Sequence, residues 1–372
     1  MRKKDCYVVI MAGGRGERFW PVSREKSPKQ LIKLLGNQSL LQQTVDRVLK
    51  LAPLENILII TNHAQVAGVR KQLPGLPREN VIAEPCGRDT CAAIVLGAAI
   101  IDQRNPKGVM AVFPADHHIQ DQRTFQRILK DCFDLASSNE YLVTIGISPT
   151  EPATGYGYIR KGPILKSDDR SRDLKTRFSK VDLFVEKPPI AKARRYLKSG
   201  KYSWNAGMFV WSVRTFMISL KKYQPDLEDY FLKWKSAAAS SSKLSTQLKK
   251  DYPSVKRISI DYALMEKAEN TVVADGVFDW DDLGSWTALE RYLKSDKQGN
   301  HSNAQFAQID SNDNIVFDAR SKKQHLIALV GVRDCIVVQT DDSCLVASKA
   351  HGQHIKELVK ILAKDPKFKG LV

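Results

Sequence analysis

The sequence predicts an α/β protein with a Rossmann-like, mainly parallel mixed sheet and helices on both faces. A small C-terminal β-rich module follows, for which a short β-helix is one arrangement. Over residues 1–150, short apolar runs alternate with segments of helical period, a pattern typical of parallel strands covered by helices. Residues 150–290 mix strand-like and helical segments, and residues 300–350 hold short β-rich runs between Asp, Asn and Gly turns. We therefore expect one domain over residues 1–290, and the module with a terminal helix over residues 300–372.

The predicted elements of the first half follow from residue spacing. Residues 41–49 carry apolar side chains at i, i+4, i+7 and i+8, and residues 125–132 carry them at i, i+3, i+4 and i+7. Both spacings predict helices. Because ligands of such sheets bind at the carboxyl ends of the strands, the functional residues should follow the apolar runs. The runs that predict strands are Tyr7–Met11, Ile57–Ile60, Val81–Ile82, Val109–Phe113 and Leu142–Ile147.

The second half contains shorter and more varied strand signals. The apolar face of residues 355–362 predicts a last helix. The module has too few residues to bury a large core by itself. We therefore expect it to pack on the first domain or on a second copy, which leaves a homodimer open. The predicted strands are Tyr156–Arg160, Phe178–Val185 and Gly207–Trp211, then Phe306–Ile309, Leu326–Val330, Cys335–Gln339 and Cys344–Ala347.

The charge of the chain indicates anionic ligands. Lys and Arg number 58 against 41 Asp and Glu, a net charge of +17, which would attract nucleic acid, an acidic membrane or phosphorylated small molecules. No nucleic-acid-binding motif accompanies the scattered basic residues, so we expect no nucleic acid partner. The longest apolar stretch, Cys91–Ile101, has 11 residues, too few for a membrane span. A solvated basic face is favoured over a nucleic acid partner, and phosphorylated small molecules stay open as ligands.

The cysteines and the N-terminus indicate a cytoplasmic protein. The six cysteines include no Cys-x-x-Cys pair, and the seven histidines form no zinc spacing with them. This pattern suits a reducing compartment. The basic N-terminus is followed by an apolar run that ends in Gly13 and Gly14, so we expect no secretory signal.

A glycine-rich loop, Ala12–Pro21, follows the first predicted strand. Its glycines allow close approach of a ligand, and successive backbone N–H groups can bind phosphate. The loop is neither a Walker motif nor a dinucleotide-binding motif, because no Gly-Lys-Ser/Thr follows and Phe19 stands where the third glycine should be. A basic surface loop is the alternative to a polyphosphate site. The basic residues that favour the phosphate site are Arg15, Arg18, Arg24, Lys26 and Lys29.

Acidic residues follow the fourth strand and recur late in the first domain. Asp116 comes directly after Val109–Phe113, where a carboxylate can hold Mg²⁺ against phosphates. Its partner would come from Asp279, Asp281 or Asp282. The pair His117 and His118 raises the alternative of zinc, but no third ligand lies within sequence reach, so hydrogen-bonded loop histidines are favoured.

Two further strand ends carry polar residues suited to a phosphorylated sugar. Lys187, held between Glu186 and Pro188, can present a point charge to a phosphate. Glu186 can accept hydrogen bonds from sugar hydroxyls, and Asn205 can both donate and accept. Each of these alone is also compatible with an ordinary strand end.

Together these segments resemble the nucleotidyltransferases that make sugar nucleotides, most closely the GTP-dependent mannose-1-phosphate guanylyltransferases. The resemblance implies that residues 1–290 form a nucleotidyltransferase catalytic domain and that the chain lacks the isomerase domain of bifunctional relatives. The matching segments, in family order, are Ala12–Pro21 with Pro28–Gln30, Glu84–Thr90, Phe113–His118, Thr154–Tyr158, Phe184–Pro188, Trp204–Phe209, Ser259–Glu266 and Trp280–Trp286.

The resemblance also implies roles for individual residues. Arg18 and Lys29 would bind the GTP phosphates, Arg18 would stabilise the departing pyrophosphate, and Lys187 would hold the sugar phosphate, so these three form the expected catalytic set. Asp116 and Asp282 would hold Mg²⁺. The residues expected to bind the nucleotide are Ala12, Gly13, Gly14, Gly16, Glu84, Arg88 and Thr90, and those expected to bind the sugar are Gly155, Glu186 and Asn205. Asp89 stands where the family commonly has Asn, which puts a base-reading role of that position in doubt.

The expected reaction is transfer of a guanylyl group from GTP to mannose 1-phosphate, giving GDP-mannose and pyrophosphate. The sugar phosphate is already anionic, so no acid or base is essential. The protein must hold two mutually repelling anions and stabilise developing charge. Two alternatives remain: the same chemistry with another nucleotide or hexose 1-phosphate, or a non-catalytic nucleotide-sensing subunit. The second should have lost Arg18, Lys29 or a metal carboxylate, and all are present.

Overall fold

The chain folds into a large mixed α/β sheet and a smaller β-rich module in this computed structural model, which describes residues 1–165, 174–321 and 325–372. The parts of the two predicted domains that fall on residues 166–173 and 322–324 lie outside the described residues. The strands of the large sheet are β1 (Cys6–Met11), β2 (Ile57–Asn62), β3 (Val81–Glu84), β4 (Val109–Pro114), β5 (Leu142–Ile147), β6 (Tyr158–Ile164), β7 (Phe178–Val185), β8 (Tyr202–Ser212) and β9 (Thr271–Gly276).

The large sheet has the order β3-β2-β1-β4-β8-β5-β9-β7-β6. The first four strands of that order pair in parallel. Antiparallel β8 then lies between β4 and β5, and β7 and β6 complete the far edge as antiparallel strands. The predicted mixed α/β fold is therefore confirmed. Because β2 and β4 flank β1 on opposite sides, the chain order reverses at β1, and a crevice is expected at the carboxyl ends of β1 and β4.

Helices cover both faces of this sheet. In β1, Val8 and Ile10 belong to one buried apolar cluster with α1 and α4, whereas Tyr7 and Val9 belong to another with α3, α6, α7 and α8. This alternation follows from the two-residue period of a strand. The helices are α1 (Leu40–Val48), α2 (Val66–Gln72), α3 (Asp89–Arg104), α4 (Gln122–Ser138), α5 (Ile190–Ser199), α6 (Val213–Tyr223), α7 (Pro225–Ala237), α8 (Ser241–Asp251) and α9 (Ile355–Leu362).

The 11-residue apolar stretch noted in the sequence is the buried centre of α3. Cys91–Ile101 is buried throughout, because α3 lies between the sheet and the outer helix α7. A helix that is apolar on all sides is expected in such a layer. Within the described ranges, no helix has both the length and the apolar character needed to span a membrane.

The C-terminal module consists of short stacked strands. β11, β13 and β15 form one parallel stack, extended at its two edges by antiparallel β10 and β16, and β12 pairs with β14 in a second parallel stack. Such stacks are the geometry of a short β-helix. The strands are β10 (Lys294–Ser295), β11 (His301–Ser302), β12 (Gln305–Ile309), β13 (Ile315–Asp318), β14 (Leu326–Val330), β15 (Cys335–Gln339) and β16 (Cys344–Ser348).

The module packs on the first domain, as one of the two sequence alternatives predicts. Ile315 and Phe317 of β13 share a buried cluster with Phe19 and Trp20 of the glycine-rich segment and with Trp286. Outside that cluster, Val316 faces the opposite way, towards the module's own small core with Leu329 and Val337. The position of the domain boundary itself stays a prediction.

Candidate active site

A cleft of about 470 Å³ opens at the carboxyl ends of β1 and β4. The loops after these strands are adjacent, since the Ala115 backbone N–H donates to the Met11 carbonyl at 3.1 Å. The lining of the cleft includes Arg18, Lys29 and Asp282. The structure therefore brings the glycine-rich loop, the end of β4 and the late acidic segment to one place.

Buried glutamine side chains bind the carbonyl groups of the glycine-rich loop and so fix its backbone. The Gln30 side-chain amide donates to the carbonyls of Ala12 at 2.7 Å and Gly14 at 3.1 Å, and Gln65 also donates to Gly14. Within the described part of the chain, no backbone N–H of residues 13–16 donates a hydrogen bond. Consecutive free N–H groups of this kind can bind an anion or a nucleoside.

Gly16 allows the loop to pack directly on Lys29. Its φ is +64°, in the left-handed region. A Cβ at this position would lie 2.4 Å from the Lys29 Cβ and 2.8 Å from the Lys29 backbone nitrogen. Only glycine fits this conformation and this space, so Gly16 positions Lys29 whether or not it touches a nucleotide.

Lys29 connects the two residues that are predicted to hold the metal. Its ammonium donates to Asp116 Oδ2 at 2.8 Å and to the main-chain oxygen of Asp282, although the lysine is almost fully buried. Burial disfavours ionisation of Asp116, but the Lys29 charge outweighs it, so the pKa of Asp116 lies below its usual range. Asp116 is therefore a carboxylate at neutral pH.

The partners of the other two acidic candidates set them apart from Asp282. Asp281 is buried and accepts hydrogen bonds from the Leu283 backbone, from Arg291 and from Tyr292. Asp279 accepts from the backbone N–H groups of residues 120 and 121, at the start of α4. Asp282 lines the cleft, and its carboxylate accepts one hydrogen bond from the described residues, from the Tyr156 hydroxyl at 2.8 Å. Of the three aspartates, Asp282 is the one placed to meet a ligand.

The donor set of Asp116 and Asp282 suits Mg²⁺. Both residues offer hard oxygen ligands to the same cleft. In the part of the chain that the structure describes, no cluster of three or more His, Cys, Asp or Glu side chains could hold a metal. Mg²⁺ typically takes one or two carboxylates and completes its shell with water and phosphate oxygens, so these two residues fit it, whereas a zinc site needs more protein ligands.

His117 and His118 are held by the structure around them. The Trp280 indole donates to His117 Nδ1 at 3.1 Å, and burial lowers the pKa of His117. The His118 backbone N–H donates to the Asp281 carbonyl, and the Asp281 N–H donates to the His118 carbonyl. These paired backbone bonds hold the Asp116 loop against the Asp282 loop, which agrees with loop histidines that are hydrogen-bonded.

An aromatic wall extends from Asp282 towards the predicted sugar residues. The Tyr156 ring packs against Trp204 and Trp280, with ring centroids 5.0 Å and 5.2 Å away. Burial, together with the Asp282 carboxylate, raises the pKa of Tyr156. Tyr156 therefore stays a neutral hydroxyl that donates to Asp282.

The polar side chains predicted to bind the sugar phosphate form one cluster. The Asn205 side-chain amide donates to Asp261 Oδ1 at 2.9 Å, and its oxygen accepts from Thr144. A register shift between β5 and β8 lies beside Asn205; such bulges re-aim side chains. Lys187 and Glu186 form an ion pair of 2.7 Å. Gly155 is exposed, with open space where a Cβ would lie.

Charges in this cluster are coupled. Burial and the nearby Glu186 carboxylate raise the pKa of Asp261 to about 7. Burial disfavours the charged form of Lys187, but Glu186 outweighs it, so the pKa of Lys187 lies above its usual range. Lys187 therefore carries its positive charge at neutral pH, as a phosphate-binding residue must.

The predicted base-reading segment, Glu84–Thr90, is tied to the chain after α8. Glu84 accepts from the Tyr252 hydroxyl, and its Oε2 would lie 3.2 Å from a Cβ on Gly13, so it stands beside the glycine-rich loop. Burial raises the pKa of Glu84 to about 7.

Arg88 and Thr90 have structural partners. The Arg88 guanidinium donates to the carbonyls of Tyr252 and Pro253, and the Thr90 hydroxyl accepts from the Ile260 backbone N–H at 2.9 Å. Asp89 has φ +65°, a conformation that Asn and Asp tolerate better than other side chains. This backbone requirement alone accounts for either residue at position 89. The nucleotide contacts of Arg88 and Thr90 stay a prediction.

The five basic residues near the loop do not all reach the cleft. Arg15, Arg18 and Lys29 line it, and the buried Nε of Arg18 has no hydrogen-bond partner among the described residues. Arg24 instead pairs with Asp342 of the C-terminal module, and Lys26 is exposed outside the cleft. The prediction that all five basic residues surround a phosphate is therefore wrong for Arg24 and Lys26, and the other three line the cleft.

Several residues around the site had no assigned role in the sequence. Asp261 lies in a segment that carries the resemblance, so a lone acid among apolar residues was an available signal. Tyr156 also lies in such a segment, Thr154–Tyr158, and it reaches Asp282 from there. Tyr252 and Lys356 are brought in from other parts of the chain, and no local pattern distinguishes these two from ordinary surface or core residues.

Two family models match the chain. One described as "Nucleotidyl transferase" matches residues 7–299, and one described as "MannoseP isomerase/GMP-like beta-helix domain" matches residues 305–362. The first covers well over half of the chain and contains every residue predicted to bind substrate or metal. The second covers the strands β12 to β16 and the helix α9.

Whole-chain relatives agree with these matches. The xanthan biosynthesis protein XanB of Xanthomonas campestris pv. campestris is 36% identical over 358 residues, covering 95% of this chain and 73% of that protein. A mannose-1-phosphate guanylyltransferase of Escherichia coli K12 is 34% identical, covering 98% and 75%. A crystal structure named a mannose-1-phosphate geranyltransferase, from Thermus thermophilus, has 32% identity and a TM-score of 0.82, covering 96% of this chain and 99% of that one.

Proposed function

The chain belongs to the nucleotidyl transferase family, among the mannose-1-phosphate guanylyltransferases, and we propose that it transfers a guanylyl group from GTP to α-D-mannose 1-phosphate. The products are GDP-mannose and pyrophosphate. One observation in the fold carries this proposal. Lys29 links Asp116 and Asp282 beside a loop with free N–H groups, which brings phosphate-binding and metal-binding groups together.

The predicted sugar residues are connected to the same carboxylate through Tyr156. Tyr156 donates to Asp282 and packs on Trp204, next to Asn205 and Glu186. A phosphorylated sugar held there has its hydroxyls near Asn205 and Glu186, and its phosphate near Lys187. This arrangement supports an acceptor that is a sugar phosphate.

The chemistry is an in-line attack by the sugar phosphate on the α-phosphorus of the nucleotide. The P–O bond to the β-phosphate breaks as the new P–O bond forms, and pyrophosphate carries away the electron pair. The attacking phosphate is already an anion, so the described residues need only bind, orient and neutralise. Arg18 and Lys29 would stabilise the charge that develops on the leaving side.

Mg²⁺ bound by Asp116 and Asp282 would screen the phosphate oxygens and so reduce their mutual repulsion. Tyr156 keeps Asp282 oriented, and Lys29 keeps Asp116 ionised, so the two carboxylates are prepared for a hard cation.

The preference for guanine is proposed to involve Glu84, whose carboxyl lies beside Gly13 and can accept from the N–H groups of the base. We also place the reaction in the cytoplasm, which the free cysteines support.

The test measures pyrophosphate release by the full chain with Mg²⁺. GTP is compared with ATP, UTP and dTTP against mannose 1-phosphate, and then glucose 1-phosphate replaces mannose 1-phosphate. We expect release with GTP and mannose 1-phosphate, at least about tenfold faster than with the other pairs, because polar groups built for one ligand are left unpaired by another. Release confined to a different pair would reject these substrates and keep the chemistry. No pyrophosphate release with any pair would reject the proposal that the chain is a nucleotidyltransferase.

A further inference from the structure

One lysine of the active-site cleft comes from the far end of the chain. Lys356 lies in the first turn of α9, and its side chain lines the same cleft as Arg18, Lys29 and Asp282. We propose that Lys356 binds the pyrophosphate part of the nucleotide, so that the C-terminal module supplies a phosphate-binding residue to the active site. The inference rests on the proposed function and adds a residue to it.

Packing fixes α9 against the glycine-rich segment. Ile355 and Val359, on either side of Lys356 in the helix, are buried in the cluster that contains Phe19. The chain after α9 is also attached, because the Trp20 indole donates to the Leu371 carbonyl at 2.8 Å. The backbone of Lys356 is therefore held in place beside the cleft.

Charge balance leaves Lys356 available for an anion. Lys29 is paired with Asp116, and Arg15 lies 3.8 Å from Glu17. Lys356 forms neither an ion pair nor a side-chain hydrogen bond with any residue the structure describes. A cation in the first turn of a helix also opposes the helix dipole, and Arg15 and Arg18 repel it. A bound polyanion would offset all of these unfavourable interactions.

The geometry of the reaction indicates which anion this is. In an in-line displacement, the attacking and leaving oxygens lie on opposite sides of the phosphorus. The sugar cluster reaches Asp282 through Tyr156, whereas Arg15 and Arg18 belong to the glycine-rich loop and Lys356 to the helix that packs on this loop. The leaving pyrophosphate therefore belongs on the side of Lys356.

The experiment compares Lys356→Ala, Lys356→Arg and Lys364→Ala with the unaltered full chain. Lys364 is an exposed lysine just after α9 and lines no part of the cleft, so its replacement is a matched loss of charge. Binding of GTP, GMP and inorganic pyrophosphate is measured by calorimetric titration with Mg²⁺, beside thermal unfolding of each variant. The Michaelis constant for pyrophosphate in the reverse reaction gives an independent readout.

We expect Lys356→Ala to weaken binding of GTP and pyrophosphate about tenfold, the range for one partly exposed charged contact. Binding of GMP, which lacks the leaving group, should change less than about twofold. Lys356→Arg should retain most of the affinity, and Lys364→Ala all of it. Equal affinities for pyrophosphate in Lys356→Ala and the unaltered chain would reject the proposal. So would a parallel loss of GMP affinity and thermal stability, which indicates a structural role.

These outcomes are distinct from failure of the proposed function. Suppose that the unaltered chain binds pyrophosphate, that Lys356→Ala weakens this binding, and that the unaltered chain prefers another nucleotide to GTP. The contact of Lys356 then stands, and the preference for guanine is rejected. If the reaction runs with GTP and mannose 1-phosphate, and Lys356→Ala behaves like the unaltered chain in every assay, the proposed function stands and the contact of Lys356 is rejected.

Discussion

At the scale of single residues, hydrogen-bond partners divide functions among side chains of the same type. Asp279, Asp281 and Asp282 lie within four positions of one another, yet only Asp282 lines the cleft. Asp281 accepts from Arg291 and Tyr292 inside the protein, and Asp279 holds the start of α4. A carboxylate that already satisfies several donors has little left to offer a metal.

This difference predicts opposite phenotypes for two neighbouring variants. Asp282→Asn should raise the half-saturating Mg²⁺ concentration at least about tenfold, because one of two metal carboxylates is lost, with little effect on stability. Asp281→Asn should lower the free energy of unfolding by about 1–3 kcal/mol, because the buried carboxylate loses its charge-assisted hydrogen bonds from the exposed Arg291 guanidinium and from Tyr292, with an unchanged Mg²⁺ requirement. Mg²⁺ titration of activity and chemical denaturation measure the two effects. A normal Mg²⁺ titration of Asp282→Asn would move the metal site elsewhere.

Arg18→Ala should reduce turnover by on the order of 10²–10³-fold, the usual effect of removing one donor that stabilises developing charge. Its buried Nε has no partner among the described residues, so the replacement leaves no protein group unpaired and stability should change little. Lys26→Ala is the matched control, since Lys26 is exposed outside the cleft. Steady-state pyrophosphate release and thermal unfolding separate the two effects. Near-normal turnover of Arg18→Ala would refute its assignment.

Glu84 makes stability depend on pH. Its pKa is about 7 in the folded protein and near 4.5 when exposed, so between these values the folded state binds more protons than the unfolded state. The free energy of unfolding therefore falls as pH rises through this range, by about 3 kcal/mol in all. Glu84→Gln removes this loss. We expect the free energy of unfolding of Glu84→Gln to exceed that of the unaltered chain by up to about 3 kcal/mol at pH 8 and by less than about 1 kcal/mol at pH 5.

Denaturation at both pH values measures the Glu84 effect. Glu79→Gln, at an exposed position nearby, serves as the control and should show no such difference. A gain for Glu84→Gln that stayed constant between pH 5 and pH 8 would show that the carboxyl is not protonated in the folded protein.

Residue types and order predicted which side chains meet, but their orientations depended on partners far along the chain. Asp116 and Lys29 were identified because each follows a strand or a glycine-rich loop, and the fold places strand ends together. Arg88 illustrates the limit, since its guanidinium is bound by carbonyls of residues 252 and 253. No residue near Arg88 in the sequence predicts that these carbonyls bind its guanidinium.

At the scale of elements, the glycine-rich segment depends on one tight contact. Gly16 has φ +64° and leaves no space for a Cβ beside Lys29. The short segment between them has to turn so that Lys29 reaches both Asp116 and Asp282. The conformation of this loop therefore determines the position of the charge at the centre of the site.

Gly16→Ala should lower the free energy of unfolding by about 1–3 kcal/mol, because alanine must adopt a left-handed φ and displace Lys29. Turnover should fall as well, since Lys29 would shift from Asp116. Gly14→Ala is the comparison within the same loop, because a Cβ there meets no atom within 4 Å, and its unfolding free energy should change by less than about 1 kcal/mol. Equal destabilisation by the two variants would show that the contact with Lys29 is unimportant.

Elements with a regular pattern were predictable, and elements defined by their neighbours were not. Apolar runs located β1, β2, β4 and β5 closely, and helical spacing located α1 and α4. The predictions missed β9 (Thr271–Gly276), which lies between β5 and β7, and β13 in the module. Each contains an apolar run of only three residues, 272–274 and 315–317, which a local pattern does not distinguish from a loop or a piece of a buried helix.

At the scale of the whole molecule, the module and the glycine-rich segment share one hydrophobic cluster. Trp286 lies at its centre: its ring contacts Phe19 and Phe317, each at 5.1 Å between centroids, and its indole donates to the Trp20 carbonyl. Phe19 directly follows Arg18. The position of Arg18 therefore depends on a strand that lies some 300 residues further along the chain.

Adjacent residues of β13 separate this coupling from the stability of the module. Phe317 faces the shared cluster, whereas Val316 faces the module's own core. Phe317→Ala should lower the free energy of unfolding by about 3–5 kcal/mol and also reduce turnover, because a cavity under Trp286 lets Phe19 and Arg18 move. Val316→Ala should destabilise by roughly 1–3 kcal/mol with normal kinetics. Both are assayed at a temperature where each variant is folded. If the two variants altered turnover alike, the module would act only as a support for the fold, and Arg18 would owe its position to the first domain alone.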